Sequence, residues 1–291
     1  KFNGTSSLYS FFSINLEYSK CLWNKNSRVV MVGLKGKEID SSNIASNLTF
    51  LIDVSGSMED ENKLPMLKKS LKLLVNNLND NDRVAIVVYA SAEGLALPST
   101  MGRDKKKILE AIDNLSAGGS TAGGAGIALA YKTAADNYIK GGNNRIILAT
   151  DGDFNVGVSS TSELVKIVEE KRKAGIFLTV IGVGEGNVKD SRMKEIANKG
   201  NGEYYYIDNI MEAKKIFANE LKGTLFTIAK DVKIQVEFNP AKILAYRLLG
   251  YEDRALKRED FDNDEKDAGE LGAGHTVTAI YEITLQTGTI K

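Results

Sequence analysis

The sequence predicts an α/β protein with a doubly wound, mostly parallel β-sheet and a small flanking β unit contributed by the two termini. Two patterns lead to this prediction. Between residues 47 and 227, short apolar runs rich in β-branched residues alternate about five times with amphipathic stretches. After residue 227, apolar residues instead occupy every second position. The first pattern is typical of a sheet covered by helices on both faces, and the second of antiparallel strands with one exposed face.

The predicted strands of the main sheet are nearly continuous apolar runs, which indicates burial on both faces. They are Leu48–Val54, Arg83–Tyr89, Arg145–Thr150, Phe177–Val183 and the less apolar Glu203–Ile207. Between them, apolar residues recur every three or four positions, the spacing that places them on one face of a helix. The predicted helices are Lys63–Asn79, Ile108–Leu115, Ile127–Tyr138, Leu164–Val168 and Ile210–Leu221.

Three segments predict the flanking β unit. Val232–Phe238 and Val277–Leu285 each alternate apolar with polar side chains, the period of a half-exposed antiparallel strand. Arg28–Leu34 is predicted as a further strand ahead of the α/β region. We therefore expect a main domain over residues 47–227 and a β-rich unit formed by residues 1–46 and 228–291.

The composition argues against several classes of function. The 38 Lys and Arg residues balance the 38 Asp and Glu residues, so no net field attracts nucleic acid or an anionic membrane. The single histidine, His275, rules out histidine-rich zinc sites and leaves little for nucleophilic catalysis. The one cysteine, Cys21, cannot form an internal disulfide. We expect no nucleic-acid binding, no enzymatic activity and, since no run approaches roughly 18 apolar residues, no transmembrane segment.

Polar residues gather where two predicted strands end. Asp53 ends the first strand and is followed by Ser55 and Ser57, while Asp151 follows a later strand. A glycine-rich loop around Thr121 precedes a helix and is expected to reach the same edge of the sheet. In an open α/β sheet the carboxyl ends of the strands form the ligand crevice. Three separate loops thus offer only oxygen ligands at one place.

Hydroxyl and carboxylate oxygens are ligands for hard cations, and a site with few carboxylates and room for water suits Mg²⁺. Mn²⁺ or Ca²⁺ could also bind, although a calcium cage usually has more ligands. Glycines allow the loops to approach the ion closely, because they lack a Cβ. An ion held partly through water can still accept a carboxylate from outside.

Together these residues resemble the metal-ion-dependent adhesion site of von Willebrand factor A domains. The matching residues are Asp53-x-Ser55-x-Ser57, Thr121 in its glycine-rich loop, and Thr150-Asp151-Gly152. The first triplet alone is a weak signal, but with the Thr and the second Asp in their own loops the pattern is specific. The resemblance covers about Asn47–Thr227, and the flanks Trp23–Asp40 and Lys230–Ile283 are similar to those of a bacterial envelope subfamily.

The resemblance implies a Rossmann-like von Willebrand factor A fold and assigns roles to the site. Ser55, Ser57 and Thr121 would ligate the ion, Asp53 and Asp151 would hold it directly or through water, and an Asp or Glu of a protein partner would supply the last ligand. The expected function is a non-enzymatic, cation-dependent, adhesion-type binding module outside the cytoplasm, at the cell envelope.

Two other functions are compatible with these residues. A magnesium-dependent phosphatase of the haloacid dehalogenase type also places an Asp at a strand end, and Asp151-Gly-Asp153 fits its D-x-D pair, but Asn155 stands where Thr or Val is expected. Alternatively, the ion only stiffens the loops of a scaffold that binds its partner elsewhere. Removing the metal would then lower stability but leave association intact.

Overall fold

Two units make up the chain, residues 40–226 and residues 1–39 together with 227–291. The structure, a computed structural model, describes residues 12–38, 44–90, 93–118, 124–152, 161–184, 190–217, 227–250, 261 and 269–286. In chain order, the strands are β1 (Phe12–Lys20), β2 (Ser27–Gly36), β3 (Ser46–Asp53), β4 (Arg83–Tyr89), β5 (Glu93–Met101), β6 (Asn143–Thr150), β7 (Ile176–Val183), β8 (Tyr204–Ile207), β9 (Thr227–Val232), β10 (Ile243–Leu249), β11 (Gly269–Gly272) and β12 (Thr276–Leu285). The helices are α1 (Leu64–Asn76), α2 (Lys105–Asp113), α3 (Gly124–Asp136), α4 (Thr161–Lys173), α5 (Asp190–Lys199) and α6 (Ile210–Lys215).

The larger unit is built around a six-stranded sheet with the strand order β5-β4-β3-β6-β7-β8. Neighbouring strands are parallel except β5, which runs antiparallel to β4 at one edge. The chain first builds the sheet outward from β3 in one direction and then, from β6, in the other. The prediction of a doubly wound, mostly parallel sheet is confirmed, and its topological switch point lies between β3 and β6.

Helices cover both faces of this sheet. The strands β3 and β6 are buried at every position, as the continuous apolar runs predicted. On one face, α3 packs on β3, β4 and β6, while α4 and α5 pack on β7. Successive strand residues point to opposite faces, and both Phe50 and its neighbour Leu51 are at most 1% exposed. The second face is therefore covered as well, and α1 packs there beside α2 and α6.

The smaller unit contains a four-stranded antiparallel sheet in the order β1-β2-β12-β10 and a two-stranded sheet of β9 and β11. The carboxylate of Glu282 on β12 ties the four-stranded sheet to the loop after β1. It accepts hydrogen bonds from Arg247 at 2.9 and 2.6 Å, from Trp23 at 3.2 Å and from Asn24 at 3.1 Å. These bonds, that from Arg247 above all, lower the pKa of Glu282 to about 2.

One predicted strand of the smaller unit is wrong. The segment Val232–Phe238 alternates as a strand should, but β9 ends at Val232 and residues 233–239 pair with no strand. The ring of Phe238 instead packs on the four-stranded sheet, with its centroid 4.8 Å from that of Tyr246 and 5.4 Å from that of Tyr281. The sequence prediction also missed β1, β5, β10, β11 and α5.

The predicted helix Ile210–Leu221 is described only in its first part, since residues 218–221 lie outside the described ranges. Within those ranges, no helix combines the length and the apolar character that crossing a membrane requires.

Candidate metal-binding site

The predicted site lies at the topological switch point of the main sheet. The neighbouring strands β3 and β6 both end there, β3 in Asp53 and β6 directly before Asp151. Adjacent strands that continue into loops on opposite sides of the sheet leave a crevice at their carboxyl ends. Two carboxylates therefore meet at the place in this fold that is best suited to a ligand.

Asp53 is buried, at 1% exposure, and both of its oxygens accept hydrogen bonds. Oδ1 accepts the backbone N–H of Ser55 at 2.9 Å, and Oδ2 accepts the hydroxyls of Tyr89 at 3.2 Å and Thr150 at 3.3 Å. Burial raises the pKa of Asp53, and the negative charge of Asp151 acts in the same direction, against the hydrogen bonds from Ser55. A cation in the crevice would offset both costs.

The two serines form a pair of hydroxyls beside Asp53. Ser55 precedes a short 3-10 helix, Gly56–Glu59, whose turn brings the Ser57 hydroxyl back to 3.0 Å from that of Ser55. Ligands at right angles around Mg²⁺, each about 2.1 Å from the ion, stand about 3.0 Å apart. The hydroxyl pair thus has the spacing of two adjacent magnesium ligands, and it is also within hydrogen-bonding distance.

Asp151 presents one carboxylate oxygen that finds no donor in the described part of the chain. Its Oδ1 is buried and unpaired there, whereas Oδ2 accepts from the ammonium of Lys63 at 3.2 Å. The same ammonium donates to the backbone oxygen of Ser57 at 2.8 Å, so it links the β3 loop to the β6 loop. A buried, unpaired carboxylate oxygen is costly unless a cation or donor reaches it. The backbone of Gly152 turns away immediately afterwards at a φ of 103°, a value that favours glycine.

Four of the five predicted metal ligands are therefore brought together, namely Asp53, Ser55, Ser57 and Asp151. Thr121 lies outside the described residues, as do Asp153 and Asn155 of the phosphatase alternative. Gly118, the last described residue before the loop of Thr121, donates its N–H to the backbone oxygen of Val54 at 2.8 Å. That loop thus departs from the chain beside the end of β3.

The donor set of the described residues fits a hard cation. Hydroxyls and carboxylates are the only side-chain oxygens at the site, which suits Mg²⁺ better than a soft metal. Across the described residues, no group of three or more His, Cys, Asp or Glu side chains could hold a metal. Among the described residues, the ligands available to an ion here are thus the serine hydroxyls and the two carboxylates.

Sequence reasoning missed two residues of the site, Tyr89 and Lys63. Tyr89 ends β4 and pairs in register with Asp53 of β3, so the two predicted parallel strands already implied this contact. Lys63 gave no such signal. Its side chain passes over Gly184 on the way to Asp151. A Cβ added at Gly184 would come 2.8 Å from the Lys63 Cε, so the glycine leaves room for the lysine there.

Comparison with known proteins places the chain in a family. The family model described as von Willebrand factor type A domain matches residues 47–219, and the one described as Uncharacterized protein YfbK, C-terminal, matches residues 223–291. The Uncharacterized protein YfbK of Escherichia coli (strain K12) is 47% identical over 275 residues, which cover 94% of this chain and 48% of that protein. The chain thus spans about half the length of this relative.

Solved structures agree on the fold. A von Willebrand factor type A protein from Catenulispora acidiphila matches with a TM-score of 0.59 and 19% identity, over 96% of this chain and 66% of that one. An aerotolerance-related membrane protein from Bacteroides fragilis matches with a TM-score of 0.50 and 24% identity, over 61% of this chain and 98% of that one. At these identities the likeness shows the fold alone.

Domains of this type are generally protein-interaction or adhesion modules, and neither they nor the YfbK relatives are recognised as enzymes. The match over residues 47–219 and the sheet wound in both directions from β3 and β6 confirm the resemblance predicted from the sequence. The chain belongs to the von Willebrand factor type A family, within the bacterial group of YfbK.

Proposed function

We propose that the chain is a divalent-cation-dependent protein-binding module of the adhesion type, in which a bound Mg²⁺ coordinates an Asp or Glu of a partner protein. The observation that carries this proposal is the buried Oδ1 of Asp151, which has no donor among the described residues and stands at the end of the strand next to the one that leads to Ser55 and Ser57. The proposal gives no catalytic role to any residue of the site.

The two aspartates differ in their hydrogen bonds, and we infer a different role for each. Three donors already hold the oxygens of Asp53, which therefore balances the ion's charge and orients water or ligands around it. Asp151 keeps one oxygen for the ion or for a water bound to it. Ser55, Ser57 and Thr121 would supply neutral oxygens. Since these three ligands carry no charge and the two aspartates act partly through water, the ion would stay electrophilic enough to bind a carboxylate from outside.

Calorimetric titration with MgCl₂ tests the metal site directly. We expect the chelator-treated chain to bind one Mg²⁺, and the double substitution Ser55→Ala with Ser57→Ala to weaken binding at least about tenfold, because two neutral ligands are lost. Ser70→Ala is the matched control, since the Ser70 hydroxyl donates to the backbone oxygen of Met66 within α1. Equal affinity in the double variant and the control would contradict the proposal.

Partner binding is tested by capture with the immobilised chain, in Mg²⁺ and in EDTA. We expect bound proteins to be released by EDTA, and to be lost in the Ser55→Ala, Ser57→Ala variant. If EDTA lowers the melting temperature but leaves capture unchanged, the ion is only a stabiliser and the partner binds elsewhere.

We further propose that the chain acts at the bacterial cell envelope. The name of the Bacteroides fragilis neighbour, an aerotolerance-related membrane protein, supports this location by analogy of fold. Fractionation of cells of the source organism, with an antibody against the chain, tests it, and recovery in the cytosolic fraction alone would contradict it.

A further inference from the structure

The strand β1 is an edge of the four-stranded sheet and is exposed along its whole length. From Phe12 to Tyr18, every second side chain on it is large and apolar. The exposed fractions are 36% for Phe12, 59% for Ile14, 49% for Leu16 and 82% for Tyr18. An edge strand presents unpaired N–H and C=O groups, so an apolar edge of this kind favours pairing with another strand.

The other edge strands in the described part of the chain carry features that oppose such pairing, and the two-stranded sheet of β11 and β9, in which both strands are edges, has two register shifts. In the main sheet, β5 has two register shifts against β4 and contains Pro98, and β8 has only four residues. In the smaller unit, β10 has a register shift against β12, and the ring of Phe238 packs on its Tyr246. Bulges, prolines and short strands are the usual means by which proteins block an edge.

Strand β1 has none of these features. Its register with β2 is unbroken from Phe12 to Lys20, and it contains no proline. Its only charges are Glu17 and Lys20, and Lys20 stands at the very end of the strand. In contrast to the protected edges, the free edge of β1 can therefore accept another strand.

The sequence of β1 is complementary to itself. If two copies pair antiparallel about a two-fold axis at Leu16, all nine residues of each strand take part. The opposed residues are then Phe12 with Lys20, Ser13 with Ser19, Ile14 with Tyr18, Asn15 with Glu17, and Leu16 with Leu16. No like charges face each other, and the apolar side chains of both copies lie on the same face, as stable cross-strand pairs require. Any other register pairs fewer residues.

We propose that β1 of one chain pairs antiparallel with β1 of a second copy, centred on Leu16, so that the two four-stranded sheets become one continuous sheet in a homodimer. A two-fold contact of this type is closed, because it uses the β1 edge of both copies and leaves neither of them free. The main-chain hydrogen bonds provide affinity, and the apolar face covers side chains that are exposed in the single chain.

A charge-swap experiment on the full chain tests the dimer. By sedimentation velocity at micromolar concentrations, we expect the unaltered chain to dimerise, and Leu16→Glu and Leu16→Lys each to weaken dimerisation at least about tenfold, since like charges then face each other. An equimolar mixture of the two variants should restore the dimer. The matched control is Leu244→Glu, because Leu244 is similarly exposed, at 61%, on the protected edge strand β10.

Cysteine cross-linking tests the register. In a Cys21→Ser background, Leu16→Cys should form an intermolecular disulfide under mild oxidation, because the two Leu16 positions face each other. Ile14→Cys should not, since its two copies would be offset by about 14 Å along the strands. The proposal is overturned if the unaltered chain stays monomeric, if Leu16→Glu leaves the dimer intact, or if both cysteine variants cross-link equally.

Discussion

Lys63 places a positive charge beside the carboxylate of Asp151, which is proposed to bind a metal ion. Its ammonium lies 3.2 Å from Oδ2 of Asp151 and 2.8 Å from the backbone oxygen of Ser57, and its stem rests on Gly184. A side chain that carries a positive charge into a cation site repels the ion. We therefore expect the affinity of the proposed site for a metal ion to depend on this repulsion as well as on the ligands.

The substitution Lys63→Met removes the charge but keeps an unbranched side chain over Gly184. We expect it to tighten Mg²⁺ binding about three- to tenfold, because the positive charge of the ammonium no longer repels the ion. Calorimetric titration measures this change. Lys68→Met is the control, since the Lys68 ammonium donates to the backbone oxygens of Asp113 and Leu115. Weaker Mg²⁺ binding in Lys63→Met would show that Lys63 supports the metal site.

The sequence indicated most of the described site because the motif residues stand at strand ends. Asp53 and Asp151 follow buried apolar runs, and parallel strands that neighbour each other bring their ends together. Lys63 could not be found in this way, because its contact with Asp151 exists only once β7 has placed Gly184 beneath the lysine stem. Whether Thr121 joins the site stays a prediction.

At the scale of elements, the helix α3 packs closely against Tyr89, the residue of β4 that donates to Asp53. Gly126 in its first turn lies so close to β4 that an added Cβ would come 2.8 Å from the Cβ of Tyr89. Tyr89 in turn donates to the carboxylate of Asp53. The close approach of helix and strand thus holds the donor that positions Asp53.

Gly126→Ala should force α3 away from the sheet and lower the free energy of unfolding by about 1–3 kcal/mol, the usual cost of overpacking a tight core. Urea denaturation followed by circular dichroism measures it. Gly118→Ala is the control, because a Cβ at Gly118 meets nothing within 4 Å. Equal stability of the two variants would mean that α3 can shift without cost.

In the smaller unit, Glu282 joins β10, β12 and the loop after β1 through its carboxylate. The ordinary pKa of 4.5 falls to about 2 in the folded chain. As the pH drops from about 5 towards 2, the unfolded chain takes up this proton before the folded chain does, so the stability that Glu282 contributes at neutral pH is progressively lost.

The substitution Glu282→Gln should therefore lower the melting temperature at pH 7 and flatten its dependence on pH over that acidic range, because Arg247 and Trp23 lose an ionised acceptor. Melting curves recorded over a series of pH values test this. Glu38→Gln, at a carboxylate whose side chain is 81% exposed, should change neither property. An unaltered acid profile in Glu282→Gln would contradict the role of this carboxylate.

The elements that the sequence predicted well are those with continuous buried runs, such as β3 and β6. Those that it missed carry weaker patterns for identifiable reasons. Gly94 and Pro98 interrupt the apolar pattern of β5, and among the α5 side chains whose burial is described, only Met193, Ile196 and Ala197 are buried. Residues 233–239 alternate as a strand would, but they pair with no strand, and the ring of Phe238 packs on those of Tyr246 and Tyr281 instead. Local periodicity does not specify which neighbour a segment will find.

At the scale of the whole molecule, the larger unit has its own sheet, helices on both faces and the whole described site. A unit with its own buried core is expected to fold alone. We expect residues 40–226, expressed separately, to unfold cooperatively on heating and to bind Mg²⁺ with the affinity of the full chain. Circular dichroism and calorimetry measure these properties. Loss of either would show that the smaller unit is required for the site.

The four described candidate ligands, Asp53, Ser55, Ser57 and Asp151, stand at or just beyond the ends of β3 and β6, where the ladder of main-chain hydrogen bonds stops. Changes in these loops would consequently leave the buried framework undisturbed. A few loop substitutions would therefore be enough to change the chemistry of this crevice while the scaffold stays the same.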